Sequence, residues 1–229
     1  MLVSAPAGFA QDAKKSEGPN ASDIGANKPK ADAKAQGVAN LRMVADLVTY
    51  GRQAKSPMAL IVAAKMLWAT PVKTEGGSAK PVEGADDAGK AKADLEAVGP
   101  QLLLEEAKKL SGGDEHIDAL IAEARRSIAE RPRGEIDGPS VREAYLGPNG
   151  SGNWTAVFRA NELASVTIAG YGGADFDLYV YDDRGNLIRQ DTGPTTNATC
   201  TWVPSYTATY TFRVVNCSPF GSGYRFINN

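Results

Sequence analysis

Hydrophobic positions in the segment 40–70 recur at helical spacing. The apolar residues of its first part fall three and four positions apart, as do Leu41, Val44 and Val48. Ser56 followed by Pro57 is typical of a helix N-cap and first helical position, and Pro71 stops a helix that begins there. The pattern therefore predicts two helices joined as a hairpin.

A second pair of helices is predicted from Pro100 onward. Asp114 is a suitable N-cap for the later helix. One apolar face of that helix is formed by Ile117, Leu120, Ile121, Ala124 and Ile128. The two hairpins loosely resemble tetratricopeptide-type stacking, although no regular repeat period fits them.

Beyond Gly150 the pattern changes to short alternating segments, each bounded by Gly, Asn, Asp or Pro. Seven strands are predicted, at 154–160, 164–169, 176–181, 186–190, 198–203, 209–216 and 224–228. The strands are too closely spaced for crossover helices, which favours an antiparallel sandwich. The predicted fold is α+β in two parts, with N-terminal α-helical hairpins and a C-terminal antiparallel β-sandwich that is jelly-roll-like.

The alternation also assigns the faces of these strands, because side chains two positions apart share a face. The predicted core positions are Ala164, Val166, Ile168, Phe176, Leu178, Val180, Tyr210, Phe212 and Val214. The segment 183–186 has the composition of a hairpin turn.

Composition supports a division of the chain near Gly138. Of the 3 Trp, 8 Tyr and 6 Phe, only Phe9, Tyr50 and Trp68 precede it. Aromatic residues favour strands, whereas the Ala and Lys of the first half favour helices. We therefore expect a tail at 1–38, a helical region at 39–135 with a flexible linker at 71–98, and a β domain at 139–229.

Charge and motifs exclude several classes of function. The formal charge of -2 gives no basic field for nucleic acid, and no apolar run is long enough for a transmembrane segment. One His and two Cys are too few ligands for most metal sites built from His and Cys side chains. The sequence also contains no catalytic motif. We expect no catalytic residues and no enzyme activity.

The N-terminus begins with a short apolar stretch that ends in Gly8-Phe9-Ala10 before Gln11. Small residues at this place are typical of a signal-peptide cleavage region, although the basic segment that usually precedes them is missing. A start codon placed too far downstream would explain the missing part. An ordinary flexible N-terminus is the alternative.

Three features of the second half occur in a characteristic order: an acidic strand, a Trp-x-Pro step and an aromatic strand. They are Asp175-Phe-Asp177-Leu-Tyr-Val-Tyr-Asp182, Trp202-Val-Pro204 and Tyr210-Thr-Phe-Arg-Val-Val-Asn216. Together they resemble the bacterial pre-peptidase C-terminal domain over about residues 152–229. The resemblance implies export to the periplasm or medium and an accessory or binding role. It does not imply peptidase activity.

The strand 176–181 is flanked by acidic residues that could bind calcium, a cation that prefers oxygen ligands. They are Asp175, Asp177, Asp182 and Asp183. Asp is also a common turn residue and keeps exposed strands soluble, so a purely structural role is the alternative.

Aromatic residues of the β domain form a candidate platform for a protein or glycan ligand. Tyr179 and Tyr181 share the face of Asp177, opposite the predicted core, and Tyr206 is a third candidate. Packing within the domain is the alternative for each of them. The helical region is a candidate docking surface for a protein partner.

Cys200 and Cys217 are candidates for a disulfide, since both lie in one domain for which export is predicted. Strand parity opposes a simple pair. Cys200 shares a face with Trp202, whereas Cys217 falls on the face opposite Phe212 and Val214. Only a bulge or strand end would bring the two together.

The sequence therefore predicts an exported bacterial protein that binds a ligand or organises the envelope without catalysis. In this interpretation a β-sandwich accessory domain is tethered to a helical interaction region. The alternative is an accessory component of a secreted hydrolase, or a weakly catalytic protein.

Overall fold

The computed structural model describes residues 19–21, 32–74, 80–83, 98–130 and 138–229. The helices in these ranges are α1 Ala33–Gln53, α2 Pro57–Ala69, α3 Pro100–Leu110 and α4 Glu115–Glu130. The strands are β1 Lys73–Thr74, β2 Lys80–Glu83, β3 Ser140–Leu146, β4 Ser151–Phe158, β5 Ala164–Gly170, β6 Phe176–Tyr181, β7 Leu187–Asp191, β8 Asn197–Trp202, β9 Ala208–Asn216 and β10 Ser222–Asn228.

Side-chain caps begin the helices where the sequence predicts them. Ser56 accepts a hydrogen bond from the backbone N–H of Ala59, and Asp114 accepts from the N–H groups of His116 and Ile117. These cap side chains accept hydrogen bonds from backbone N–H groups that have no partner within the helix. Both predicted hairpins, α1–α2 and α3–α4, are present, and none of the helices in the described ranges is long and apolar enough to cross a membrane.

Helix α1 begins earlier than the sequence indicated. Residues 33–38 were expected in the tail, but Asp32 accepts a hydrogen bond from the N–H of Ala35 and starts the helix at Ala33. One face of the first turns is buried, at Ala35, Gly37 and Val38, and Gly37 lies close to the ring of Pro139. Tertiary packing therefore extends the helix into a segment whose composition had suggested a tail.

Two five-stranded sheets form the β domain. Sheet I has the order β1-β3-β10-β5-β8, and sheet II has the order β2-β4-β9-β6-β7. All neighbours are antiparallel except β1 and β3. Without the short edge strands β1 and β2, two four-stranded sheets remain in the order of a jelly roll, as predicted.

The inner faces of the two sheets form an aromatic core. Every predicted core position of strands β5, β6 and β9 lies in it. The ring of Phe158 lies 5.0 Å from Trp202 and 5.9 Å from both Tyr210 and Phe212, measured between centroids. Such edge-to-face ring pairs stabilise the fold by more than the burial of their apolar surface alone. The period-two assignment of faces is therefore confirmed.

The helices form a third layer, which covers the outer face of sheet I. Val141, Ala169 and Ile227 point away from the sandwich core and join the apolar cluster of the helices. Strand β5 is consequently buried at every position, since α1 packs on one side and sheet II on the other. Burial on both faces is usual for central strands covered by helices.

Two arginines reinforce the contact between the helices and sheet I. Arg52 of α1 forms a paired hydrogen bond with Glu106 of α3 and also donates to the carbonyl oxygen of Tyr171. Arg225 of β10 lies over the Tyr171 ring at 5.3 Å and donates to Glu143 at 2.9 Å. Tyr171 thus contacts a cation from each layer.

Two strands occur within the segment 71–98, which the sequence had suggested as a flexible linker. Strand β1 extends the edge of sheet I, and β2 extends the edge of sheet II beside β4. The remainder of the segment, 75–79 and 84–97, lies outside the described residues. Strand β3 is also additional, because the helix-favouring residues of Arg142, Glu143 and Ala144 obscure its alternation.

The chain crosses itself closely where the helical layer joins the sandwich. A Cβ atom on Gly138 would overlap the carbonyl of Pro71 and approach the backbone nitrogen of Val72 to 2.9 Å. The backbone nitrogen of Lys73 also donates to the carbonyl oxygen of Pro139 at 3.0 Å. Only glycine permits this separation without a backbone shift.

Replacing Gly138 with alanine should therefore destabilise the protein by about 1–3 kcal/mol, the usual cost of overpacking. Denaturant unfolding followed by tryptophan fluorescence measures the change. Gly193→Ala is the matched control, because its nearest neighbour would lie at an ordinary 3.6 Å. Equal stability of the two variants would show that the crossing tolerates a side chain.

Candidate functional site

The outer face of sheet II is the open face of the sandwich among the described residues. Its central row places Tyr179 of β6 beside Arg213 of β9, which in turn lies beside Asn153 of β4. The next row is formed by Tyr181, Thr211, Thr155 and, on the β7 side, Leu187. We call the residues of these two rows the tyrosine face. Arg213 and Thr155 are exposed, and the two tyrosines are half-buried.

Tyr179 is held in place by its neighbour on the same strand face. Its hydroxyl donates to Asp177 Oδ2 at 3.0 Å. Burial and then this carboxylate raise the pKa of Tyr179 above its ordinary value, so the ring stays neutral. A fixed neutral ring suits stacking against a ligand.

Tyr206 does not belong to the tyrosine face. It lies in the loop between β8 and β9, where its hydroxyl donates to Asp183 Oδ1 at 2.7 Å. The guanidinium of Arg184 lies 5.1 Å from the centre of its ring. Burial and then Asp183 raise the pKa of Tyr206 to about 12. The structure therefore brings together two of the three predicted platform tyrosines.

Asp182 and Asp183 lie at the turn between β6 and β7. Asp182 is fully buried, and its carboxylate accepts from the backbone N–H groups of Arg184 and Asn186 at 2.9 and 2.8 Å. The side-chain amide of Asn186 donates to the same carboxylate at 3.0 Å. Asp183, in contrast, is exposed and binds the hydroxyl of Tyr206. The predicted hairpin turn is confirmed, and these two carboxylates are occupied by protein donors.

Asp175 and Asp177 lie at the other end of β6. Burial and then the charge of Asp177 raise the pKa of Asp175, and the Oδ1 atom of Asp175 is buried without a hydrogen-bond partner. Across the described ranges, no group of three or more His, Cys, Asp or Glu side chains could hold a metal ion. The four aspartates thus divide between the two ends of the strand, and calcium binding stays a prediction.

The two cysteines are free thiols, so the suggested disulfide is not formed. Cys200 is buried among the core residues of the sandwich, whereas Cys217 is exposed just after β9. Strand parity predicted that the two thiols lie on different faces, and their positions agree with this prediction. Burial raises the pKa of Cys200 to about 12, and burial together with Asp177 raises that of Cys217 to about 11.

Asn20 is a site residue that no sequence pattern marked. It is almost fully buried against the sandwich, far along the chain from its neighbours Asp182, Tyr206 and Tyr210. A single polar residue in a Pro- and Gly-containing segment gives no periodic signal. Only the folded structure shows that the segment 19–21 packs there.

No family model matches this chain, and no curated protein matches it either. The resemblance to the pre-peptidase C-terminal domain therefore stays a prediction.

Asp177→Asn should accelerate alkylation of Cys217. Removing the negative charge lowers the thiol pKa from about 11 toward its ordinary value, so more thiolate is present at pH 8. We expect an increase of about three- to tenfold, measured by mass spectrometry of the native protein with iodoacetamide.

Asp183→Asn is the control, because Asp183 binds Tyr206 at the opposite end of β6. Buried Cys200 should react only after unfolding. An unchanged rate in Asp177→Asn would contradict the assigned neighbour of Cys217. Absence of titratable thiols in unfolded, unreduced protein would contradict their separation.

Proposed function

We propose that this protein is an exported, non-catalytic binding protein and that the tyrosine face binds an extended glycan. The observation that most supports this proposal is the asymmetry of the sandwich. The helices cover the outer face of sheet I, while the outer face of sheet II presents Tyr179 and Tyr181 beside hydrogen-bonding side chains. Among the described residues, the outer face of sheet II is therefore the sheet face that is open to a ligand.

The chemistry of the tyrosine face suits a sugar polymer. Tyr179 and Tyr181 lie two positions apart on β6, so their rings are spaced by roughly 7 Å along the strand. Aromatic rings supply stacking area, while the side chains of Arg213, Thr155 and Thr211 supply donors and acceptors for hydroxyl groups. This combination favours a ligand that is polar at its edges and apolar on its ring faces.

The outer face of sheet II suits a protein partner less well, because the exposed apolar residues among its described side chains are not contiguous. Val157 is on β4 and Leu187 is on β7, and both are exposed. Strands β9 and β6 separate them, which corresponds to roughly 14 Å across the sheet. Contiguous apolar area is what marks many protein interaction sites.

A periplasmic or secreted location is part of the proposal, supported by the resemblance to the pre-peptidase C-terminal domain. A glycan-binding face would serve an independent envelope protein. It would equally serve an accessory component that keeps a secreted hydrolase near its substrate. The two versions share the binding step and differ in the partner.

The helical layer supports a second candidate role in docking that partner. A groove of about 520 Å³ lies between α2, α3 and α4. It is lined by Trp68, Gln101, Leu104, Glu105, Arg125, Ile128 and Ala129. The mixture of an aromatic ring, aliphatic side chains and charges is typical of helix-recognition surfaces.

The double substitution Tyr179→Ala and Tyr181→Ala should weaken glycan binding at least tenfold, since each lost ring removes stacking worth about 1 kcal/mol. Depletion assays with insoluble peptidoglycan and with chitin measure binding. Tyr50→Ala is the matched control, because Tyr50 is an exposed tyrosine of α1.

Near-UV circular dichroism should show that both variants keep the native aromatic core. Binding of wild type and Tyr50→Ala, with loss in the double variant, supports the proposal. Failure of the wild type to bind either polymer, or equal binding by all three proteins, would contradict glycan recognition by the tyrosine face.

A further inference from the structure

Asn20 makes hydrogen bonds with the sandwich through all of its polar groups. Its backbone N–H donates to Asp182 Oδ2 at 3.0 Å, and its carbonyl oxygen accepts from the hydroxyl of Tyr210 at 2.6 Å. Its side-chain oxygen accepts from the N–H groups of Ser205 and Tyr206, and its amide nitrogen donates to the carbonyl oxygen of Tyr206. The surrounding residues, Asp182, Ser205, Tyr206 and Tyr210, form what we call the Asn20 notch.

Contacts within the sandwich also hold two sides of this notch, Asp182 and Tyr210. The Asp182 carboxylate is fixed by N–H groups of its own turn. The ring of Tyr210 is fully buried and packs 5.1 Å from Trp202 and 5.9 Å from Phe158. These two sides of the notch are therefore anchored by the jelly roll itself.

The arrangement selects asparagine over similar residues. The ligand side chain must accept two N–H bonds and donate one bond to a carbonyl at the same time. Aspartate lacks the donor and would bring a second negative charge near Asp182, while alanine offers neither group. With either replacement, the carbonyl oxygen of Tyr206 loses the hydrogen bond from the Asn20 amide. A buried carbonyl without a hydrogen-bond partner weakens binding strongly.

The residues beside Asn20 give the backbone the turn that places Asn20 in the Asn20 notch. The N–H of Ala21 donates to the carbonyl oxygen of Pro19 at 2.8 Å, which closes a tight turn around Asn20. Proline restricts the backbone and lowers the entropy lost on binding. Ala21 also packs against the apolar core of the sandwich. The recognised unit is thus a short Pro-Asn-Ala turn.

We infer that the Asn20 notch is an asparagine-selective peptide-binding site that the chain fills with its own segment. Covalent linkage gives the segment a high effective concentration, so it outcompetes a free peptide of the same sequence. The class of ligand that fits the site is a protein segment with a Pro-Asn-small turn. The site is separate from the tyrosine face and does not depend on glycan binding.

The test uses the full chain with Asn20→Ala, titrated with an acetylated and amidated peptide of residues 18–22. Backbone amide resonances of Ser205 and Tyr206 report occupancy by nuclear magnetic resonance. We expect saturable shifts in the variant and none in the wild type at the same peptide concentrations. A control peptide with aspartate in place of asparagine should bind at least tenfold more weakly.

Adding Tyr210→Phe to the Asn20→Ala chain gives a second measure, because it removes the hydroxyl and keeps the packed ring. Several-fold weaker binding of the asparagine peptide is expected. The inference is wrong if the peptide causes no saturable shift or if the aspartate peptide binds equally. Failure of the Asn20→Ala chain to fold would also overturn it, since the segment would then be a required part of the core.

Discussion

The architecture depends on the burial of the outer face of sheet I beneath helix α1. An antiparallel sheet can leave one face in water, but Val141, Ala169 and Ile227 give this one an apolar outer face. Helix α1 contacts β5, β8 and β10 and removes that face from water. The helices and the sandwich therefore form three packed layers, with sheet I in the middle. The chain crossing at Gly138 and the arginine contacts around Tyr171 follow from this packing.

The same packing separates the surfaces available for binding. Because the helices cover sheet I, the proposed glycan recognition uses the tyrosine face of sheet II. The turns at the end of the sandwich carry a different kind of site, in which fixed backbone groups and the Asp182 carboxylate surround Asn20. One surface thus presents rings with scattered polar groups, and the other presents a closed set of hydrogen bonds. Their ligands should accordingly differ in chemistry.

Local and periodic sequence patterns predicted their elements correctly. The caps at Ser56 and Asp114, the inward strand faces and the turn at 183–186 all follow from residue type and spacing. Elements in which tertiary contacts override local preference were not predicted from these patterns. Helix α1 extends back to Ala33, β1 and β2 lie within an expected linker, and β3 was hidden by helix-favouring residues. Strand β5, ASVTIAG, did carry a signal of burial on both faces, since none of its residues is charged.

The candidate site was predictable to a smaller extent, because it depends on residues distant in sequence. Strand parity places Tyr179 and Tyr181 together, but hydrogen-bond partners across loops decide the roles of Tyr206 and Asp182. Thermal unfolding of residues 138–229 produced alone, with a hydrophobic dye present, tests the three-layer packing most directly. This fragment should bind the dye and melt well below the full chain, because the outer face of sheet I is uncovered. A fragment that binds no dye and melts at the temperature of the full chain would contradict the three-layer interdependence.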